Sequence, residues 1–281
     1  MFKKLKDGIN KIKYTVFKDK RIALIKLEGI ILDSGYLSGS SKIIESLKNV
    51  KTLGIKTIVL RINSPGGTVG ASQEIYTEIK KLQKDGTKVV VSLGDVAASG
   101  GLYVAVAGDK IVSNPGTVTG SIGVIIKSSV IKDLYKKIGI EHQIVKSGPY
   151  KDILSQTRFF TDEEKTILQE LIDVTYNQFI KTISENRNID IEEVKKFADG
   201  RIFTGDQAKE YGIVDSIGSQ SDAIDLAAEL AEIKGEPVVV EITSKKSLLQ
   251  KISGANVSAI LEKAGINSVH SRIPLWIMPE N

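Results

Sequence analysis

TIVLRINSPGGTVGASQEIYTEIKKLQKDGTKVVVSLGDVAASGGLYVA, residues 57–105, reads as two strand–turn–helix units in succession. TIVLRI (57–62) and KVVVSL (88–93) are short runs of aliphatic residues, the pattern of strands buried on both faces. Each leads into a glycine turn, NSPGG (63–67) and GDVAASGG (94–101), and each turn opens a helical stretch. Strands alternating with helices predict an α/β sheet, largely parallel. Two consecutive strands of such a sheet end on the same carboxyl edge, where ligand sites lie.

The same alternation extends in both directions. RIALIKLEGIIL (21–32) reads as a strand, SSKIIESLKNV (40–50) as a helix, and KIVS (110–113) and TVTGSIGVII (117–126) as strands. SSVIKDLYKKIG (128–139) reads as a helix and HQIVKSG (142–148) as a strand. Residues 161–186 have the period of a long amphipathic helix, with Thr161 and Glu164 spaced as a capping box. A strand-like GIVDSIG (212–218), a helix over 221–234 and VVVEIT (238–243) follow. With no sequence repeat and no linker, the chain reads as one main domain over 21–235, with a basic segment 1–20 before it and an extension 236–281 after it. The extension ends in RIPLWIMPEN, whose Leu275, Trp276 and Ile277 are expected to dock on a neighbour or on the core.

At 281 residues with 41% hydrophobic side chains, the chain can bury a sizeable core. It has no cysteine, which excludes disulfides, thiolate metal sites and a cysteine nucleophile. Its two histidines, His142 and His270, cannot build a three-histidine metal site. The net charge of +5 is carried by residues 1–20 alone, and the rest of the chain balances. The sequence therefore shows no basic nucleic-acid face spread over the fold. Phe2, Leu5, Ile9, Ile12 and Val16 share one narrow helical arc, with lysines outside it. Such a segment can lie on an anionic membrane surface, or dock on its own domain. The uncharged stretches 96–108 and 111–126 fall short of a membrane span, and no apolar run follows the basic start. Neither a transmembrane helix nor a secretory signal is expected, which leaves a peripheral membrane or cytoplasmic location.

Two turns could carry chemistry. Asn63-Ser64-Pro65-Gly66-Gly67 leaves backbone amides bare at a helix start, where they can stabilise an oxyanion or bind phosphate. No Gly-Lys-Ser/Thr follows, so it is no Walker loop. Ala97-Ala98-Ser99-Gly100-Gly101 sets one serine among small residues on a strand-to-helix turn, the setting of an exposed nucleophile, with the Gly100 amide beside it. Singly, the first fits an ordinary turn and the second close helix packing. Together on one sheet edge they make the layout of acyl transfer. A serine nucleophile needs a base. His142 has no evident acidic partner, and His270 lies in the terminal extension. A lysine made neutral by burial is the other choice. Lys151, in SGPYKDILS (147–155), follows a forced turn and precedes Ile153 and Leu154, although a solvated lysine at a helix start fits the pattern too. Ser121, in another glycine turn, could hold such an amine without adding charge.

LRINSPGG (60–67), GDVAASGGLYVA (94–105), NPGTVTGSIGV (114–124), VKSGPYKDILS (145–155) and GRIFTGDQAKEYGIVDSIG (200–218) together resemble the signal peptide peptidase A family, also called protease IV, in its short single-repeat form. The resemblance spans about 20–235 and implies a Clp protease/crotonase-like fold of repeated ββα units, with active sites inside a ring or dome of subunits. It implies a Ser/Lys dyad: Ser99 as nucleophile, Lys151 as base, Ser121 holding the amine, and amides of Gly100 and of Gly66 or Gly67 as the oxyanion hole. Peptide hydrolysis through an acyl-enzyme, without metal or cofactor, would act on hydrophobic peptides such as cleaved signal peptides. In the family's long form serine and lysine come from different repeats, which implies a site shared between protomers here. A crotonase-fold acyl-CoA hydratase or thioesterase is the rival enzyme, but the turns offer it only Asp95 as a carboxylate. A membrane-associated scaffold with a dead dyad is the rival outside enzymology. A Clp-type Ser-His-Asp site ranks lower, because His142 comes too late after Ser99 for that family's spacing.

Overall fold

The computed structural model describes residues 20–33, 39–243 and 275–277. The basic segment 2–16, His270 and most of the terminal extension lie outside the described residues.

Four parallel strands form the centre: β1 (Arg21–Glu28), β2 (Thr57–Ser64), β4 (Lys88–Ala98) and β9 (Val238–Glu241), in the order β4-β2-β1-β9. The sheet thus takes in Val238–Glu241, past residue 235. β3 (Gly66–Thr68) is a short strand outside this sheet.

β4 divides the sheet. Its first half, Val90–Leu93, pairs in parallel with β5 (Lys110–Ser113), and its last three residues, Val96–Ala98, pair in parallel with β6 (Val118–Gly120). β8 (Ser216–Ile217) continues from β5, and β7 (Ile202–Thr204) closes the far edge of β6 in antiparallel pairing. The register between β2 and β4 shifts between Ile62 and Ser64. Asn63 Oδ1 accepts from the Val96 N–H at 3.0 Å, satisfying an amide that the shift would strand.

The alternation of side chains fixes what each face buries. Ala23, Ile25 and Leu27 of β1, Ile58, Leu60 and Ile62 of β2, and Val89, Val91 and Leu93 of β4 belong to the main core. Helices α1 (Ser40–Thr52), α2 (Val69–Lys84), α3 (Gly100–Ala105) and α5 (Asp162–Arg187) supply its other half through residues such as Leu47, Ile75, Leu102 and Phe179. Ile22, Leu24, Val59 and Val90 face the opposite way, against Ala223, Ala227 and Ala228 of α8 (Gln220–Leu230). Three short helices complete the described elements: α4 (Lys132–Lys137), α6 (Ile191–Lys195) and α7 (Gly205–Glu210). No described helix is long and apolar enough to cross a membrane.

Three expectations need revision. The strand expected over 117–126 ends at Gly120, because Gly120 (φ +81°) and Ser121 (φ +51°) turn the chain away. The strand expected over 142–148 pairs with nothing, and Val145 in it is fully exposed. The outer edge of β6, where it could have joined, is taken by β7. The helix expected over 128–139 is confined to α4. By contrast the capping box of α5 forms as expected: Thr161 accepts from the Glu164 N–H, and the Glu164 side chain accepts from the Thr161 N–H.

Phe179, fully buried and edge-on to Tyr103 at 5.3 Å between centroids, ties α5 to α3. Phe179→Ala is expected to lower stability by about 3–5 kcal/mol in a denaturant titration. A loss of under about 1 kcal/mol would show that α5 is not anchored there.

Candidate active site

β4 runs straight into Ser99, which bridges strand and helix at φ +51° and ψ −116°. That conformation is costly for a residue with a Cβ. Two backbone bonds hold it: the Ser99 N–H donates to Gly120 O at 2.8 Å, and Ser99 O accepts from the Tyr103 N–H at 2.8 Å. The residue is buried, and its Oγ has no hydrogen-bond partner among the described residues. A buried hydroxyl left without a partner is unusual and calls for an occupant.

Small residues permit the turn. A Cβ on Gly101 would come within 2.8 Å of Ser64 O, so α3 can approach the end of β2 only through glycine. Gly100, the first residue of α3, is buried beside Ser99.

Ser121 lies across from Ser99. Ala98 pairs with Gly120, so the next residues of β4 and β6 leave the sheet side by side. Ser121 repeats the unusual backbone at φ +51°, and its N–H donates to Arg201 O at 2.7 Å. The Thr119 hydroxyl donates to Ala97 O at 2.6 Å and the Thr117 hydroxyl to Gly94 O at 2.6 Å, stitching β6 to the bulged end of β4. Asn63, Thr117 and Thr119 were not singled out in the sequence. The alternating threonines of TVTG were the only available sign.

The other turn presents an edge. The Gly66 N–H donates to Ser64 Oγ at 3.1 Å. A Cβ on Gly67 would overlap the Ile31 carbonyl, so only glycine fits there. Ile31 N–H donates to Gly66 O at 2.8 Å and Thr68 N–H to Ile31 O at 2.9 Å, which turns the Gly67 N–H and C=O to the opposite side. On that side β10 (Leu275–Ile277) runs antiparallel, with Trp276 opposite Gly67. The backbone of these terminal residues thus pairs along the glycine turn.

Ser99, Gly100, Ser121 and the Gly66-Gly67 turn are thus gathered at one carboxyl edge. Lys151 is not with them: it is exposed, in an irregular stretch after α4, and no hydrogen bond joins it to Ser99 within the chain. His142 is also exposed, edge-on to Tyr135 at 4.5 Å. Among the described residues no group of three or more His, Asp or Glu side chains could hold a metal ion.

The stretch bearing Lys151 is tied down by charge. The Arg158 guanidinium bonds the carboxylates of both Asp152 (2.7 and 3.0 Å) and Glu164 (2.5 and 2.7 Å). Lys146 adds a bond to Asp152 at 2.6 Å. Bonds to Glu164 and Asp152 hold the Arg158 pKa above its ordinary value. Bonds from Arg158 and then Lys146 hold that of Asp152 well below the carboxylate range. Glu164 is lowered to about 2 by Arg158 and then by the Thr161 N–H. Of these residues the sequence singles out Glu164 alone, for its capping box with Thr161; partners six apart do not match the period of a helix.

The family model described as peptidase family S49 matches residues 81–234, and that of Clp protease matches residues 16–117. A protease candidate of Synechocystis sp. is 45% identical over 239 residues, covering 84% of this chain and 84% of that protein. Protease 4 of Salmonella typhi is 37% identical over 220 residues, covering 76% of this chain but 35% of its own length. Among solved structures, a ClpP1 mutant of Listeria monocytogenes gives a TM-score of 0.49 at 20% identity, over 76% of this chain and 99% of that one. The mostly parallel sheet and the Clp protease match agree with the Clp protease/crotonase-like fold expected from the sequence.

The depressed pKa of Glu164 has a sign. Its ion pair stabilises the fold above the unfolded value of about 4.3, and that contribution is lost as pH falls toward the folded value. Glu164→Gln is therefore expected to melt below the parent protein at neutral pH, with the gap closing as pH drops toward 2. A gap that stays constant with pH would contradict the ion pair's contribution.

Proposed function

The chain belongs to peptidase family S49, and on that premise we propose that it is a serine endopeptidase in which Ser99 attacks a peptide carbonyl and Lys151 of a neighbouring protomer is the general base. The observation that carries this reading is Ser99 itself: a buried, unpartnered hydroxyl on a positive-φ turn, with glycine amides on two sides.

The neutral amine of Lys151, held by the Ser121 hydroxyl, takes the proton from Ser99 Oγ as the oxygen attacks. The oxyanion is received by the Gly100 N–H and by an N–H of the Gly66–Gly67 turn. Each such donor contributes about 10²–10³ in rate. The lysine ammonium then protonates the leaving amine, and the acyl-enzyme is hydrolysed by water with the same amine as base. No metal or cofactor takes part.

An extended backbone already lies along the Gly66–Thr68 edge, namely Leu275–Ile277. That supports a peptide as substrate, laid down as an added strand. Asp95, the carboxylate a hydratase would need, is exposed on the bulge of β4. The substrates are hydrophobic peptides, such as cleaved signal peptides. The basic segment 2–16 would hold the enzyme at the membrane surface from which such peptides come.

The exposure of Lys151 supports a shared site. A lysine base must lose water to become neutral near physiological pH, and within one chain Lys151 has solvent around it. Apolar side chains surround its stretch and that of α4 and α5: Leu134, Ile138, Val145, Phe159 and Val174 are all more than half exposed. Covering them with a neighbouring subunit would dry the lysine and bring it to the neighbour's Ser99.

Ser99→Ala and Lys151→Ala chains are each expected to lose at least about 10³-fold in hydrolysis of a fluorogenic apolar peptide. Mixed under conditions of subunit exchange, the two inactive proteins should regain activity. Continued silence after exchange has been verified would contradict a shared site.

A further inference from the structure

Residues 141–160 contain no strand or helix. The backbone bonds around Lys151 are local: its own N–H donates to Gly148 O at 3.2 Å, and Ile153 N–H to Tyr150 O at 3.1 Å. The Ile131 N–H donates to Gln156 O at 2.9 Å and the Ser128 hydroxyl to Leu154 O at 3.3 Å, and Arg158 joins the stretch to α5. One side of its guanidinium takes Asp152, the residue after Lys151, through Nε–Oδ2 (3.0 Å) and Nη2–Oδ1 (2.7 Å). The other takes Glu164 through Nη1–Oε2 (2.7 Å) and Nη2–Oε1 (2.5 Å). Glu164 is 1% exposed, and it closes the capping box of α5 by accepting from the Thr161 N–H at 2.9 Å. α5 in turn is seated in the core by Phe179, Ile180 and Ile183. A continuous chain of contacts therefore runs from the core to the residue next to Lys151.

We propose that Arg158 is a positioning residue for Lys151, fixing its place through Asp152 and keeping the Asp152 carboxylate from pairing with the lysine amine. This rests on the reading of Lys151 as general base. The first effect is geometric. Two fork-like carboxylate contacts on one planar group define direction as well as distance, which a single point charge does not.

The second effect is electrostatic. A base must be neutral to accept a proton, and an unpaired carboxylate on the adjoining residue would hold the amine as ammonium. Here Asp152 is matched by Arg158 and by Lys146, whose Nζ lies 2.6 Å from Oδ1, and Glu164 is matched by Arg158. Two cations and two anions leave this cluster, which begins at the residue after Lys151, without net charge. Lys132 and Lys136 of α4, with Glu141 and His142 after it, line a cleft together with Thr157 of the same stretch. They are unaltered by a change at Arg158.

The test is the pH–rate profile of the assembled enzyme on a fluorogenic apolar peptide, with thermal unfolding and oligomer size measured for each variant. Arg158→Ala leaves Asp152 with Lys146 as its one remaining cation and Glu164 without its cation, and the alkaline-going rise in kcat/KM should move upward by about one pH unit. At a pH below both midpoints this reads as an approximately tenfold lower rate. Adding Asp152→Asn to Arg158→Ala should bring the midpoint back toward that of the parent, though Arg158 is still missing. A merely structural role would lower activity without moving the midpoint. An unmoved midpoint in folded, assembled Arg158→Ala overturns the proposal, as does a midpoint that Asp152→Asn does not restore. If Arg158→Ala fails to fold, Arg158→Lys serves: it keeps a cation but loses the fork, so the midpoint should hold while kcat falls. Parental kcat in Arg158→Lys would overturn the proposal by that route. Lys151→Ala separates the two readings. Full activity without Lys151 removes the base assignment itself, whereas Lys151-dependent activity with an unmoved midpoint removes only the role of Arg158.

Discussion

The backbone of Ser99, at φ +51°, is the constraint on which the rest turns. Such a conformation costs on the order of 1–3 kcal/mol and persists only where its surroundings leave no alternative. They leave none here. Its N–H is bonded to β6, its carbonyl to α3, and the glycine two residues on has no room for a side chain. The cost is offset by the buried parallel strands on either side. Its result is a buried hydroxyl at the carboxyl edge with no hydrogen-bond partner among the described residues.

β4 makes that placement possible by belonging to two parts of the sheet. Paired with β5 it is an ordinary buried strand; past Gly94 it changes partner to β6. The side chain of Asn63 and the hydroxyls of Thr117 and Thr119 take up the backbone groups along the changeover. The change of partner is what sets Ser121 beside Ser99. The reactive side of the molecule is thus assembled at the rigid end of a sheet, where small displacements are resisted.

Much of this was legible in residues 57–105, because aliphatic runs of strand length followed by glycine turns permit few other structures. The helical stretch expected after NSPGG forms over Val69–Lys84, and the capping pair Thr161 and Glu164 forms. The changeover within β4 was not legible, since pairing partners are a tertiary matter and GDVAA carries no sign of two. The stretch HQIVKSG has a strand's alternation, but the outer edge of β6 is already paired with β7. Lys151 was expected to be hemmed in by apolar neighbours, yet Ile153 and Leu154 leave it exposed in the single chain. The burial of Lys151 by another copy, as proposed, would leave only an apolar surface as its trace in the single chain. The Arg158 clamp is not legible in the sequence because it unites two carboxylates six residues away on either side, a spacing that is not a helix period.

The most direct trial of Ser99 as nucleophile is to treat the enzyme with a fluorophosphonate and locate the adduct by peptide mass mapping. The account predicts a single phosphonylated site at Ser99, with peptidase activity lost in proportion to labelling. Stoichiometric labelling of a different serine, or full peptidase activity with Ser99 completely modified, would contradict it.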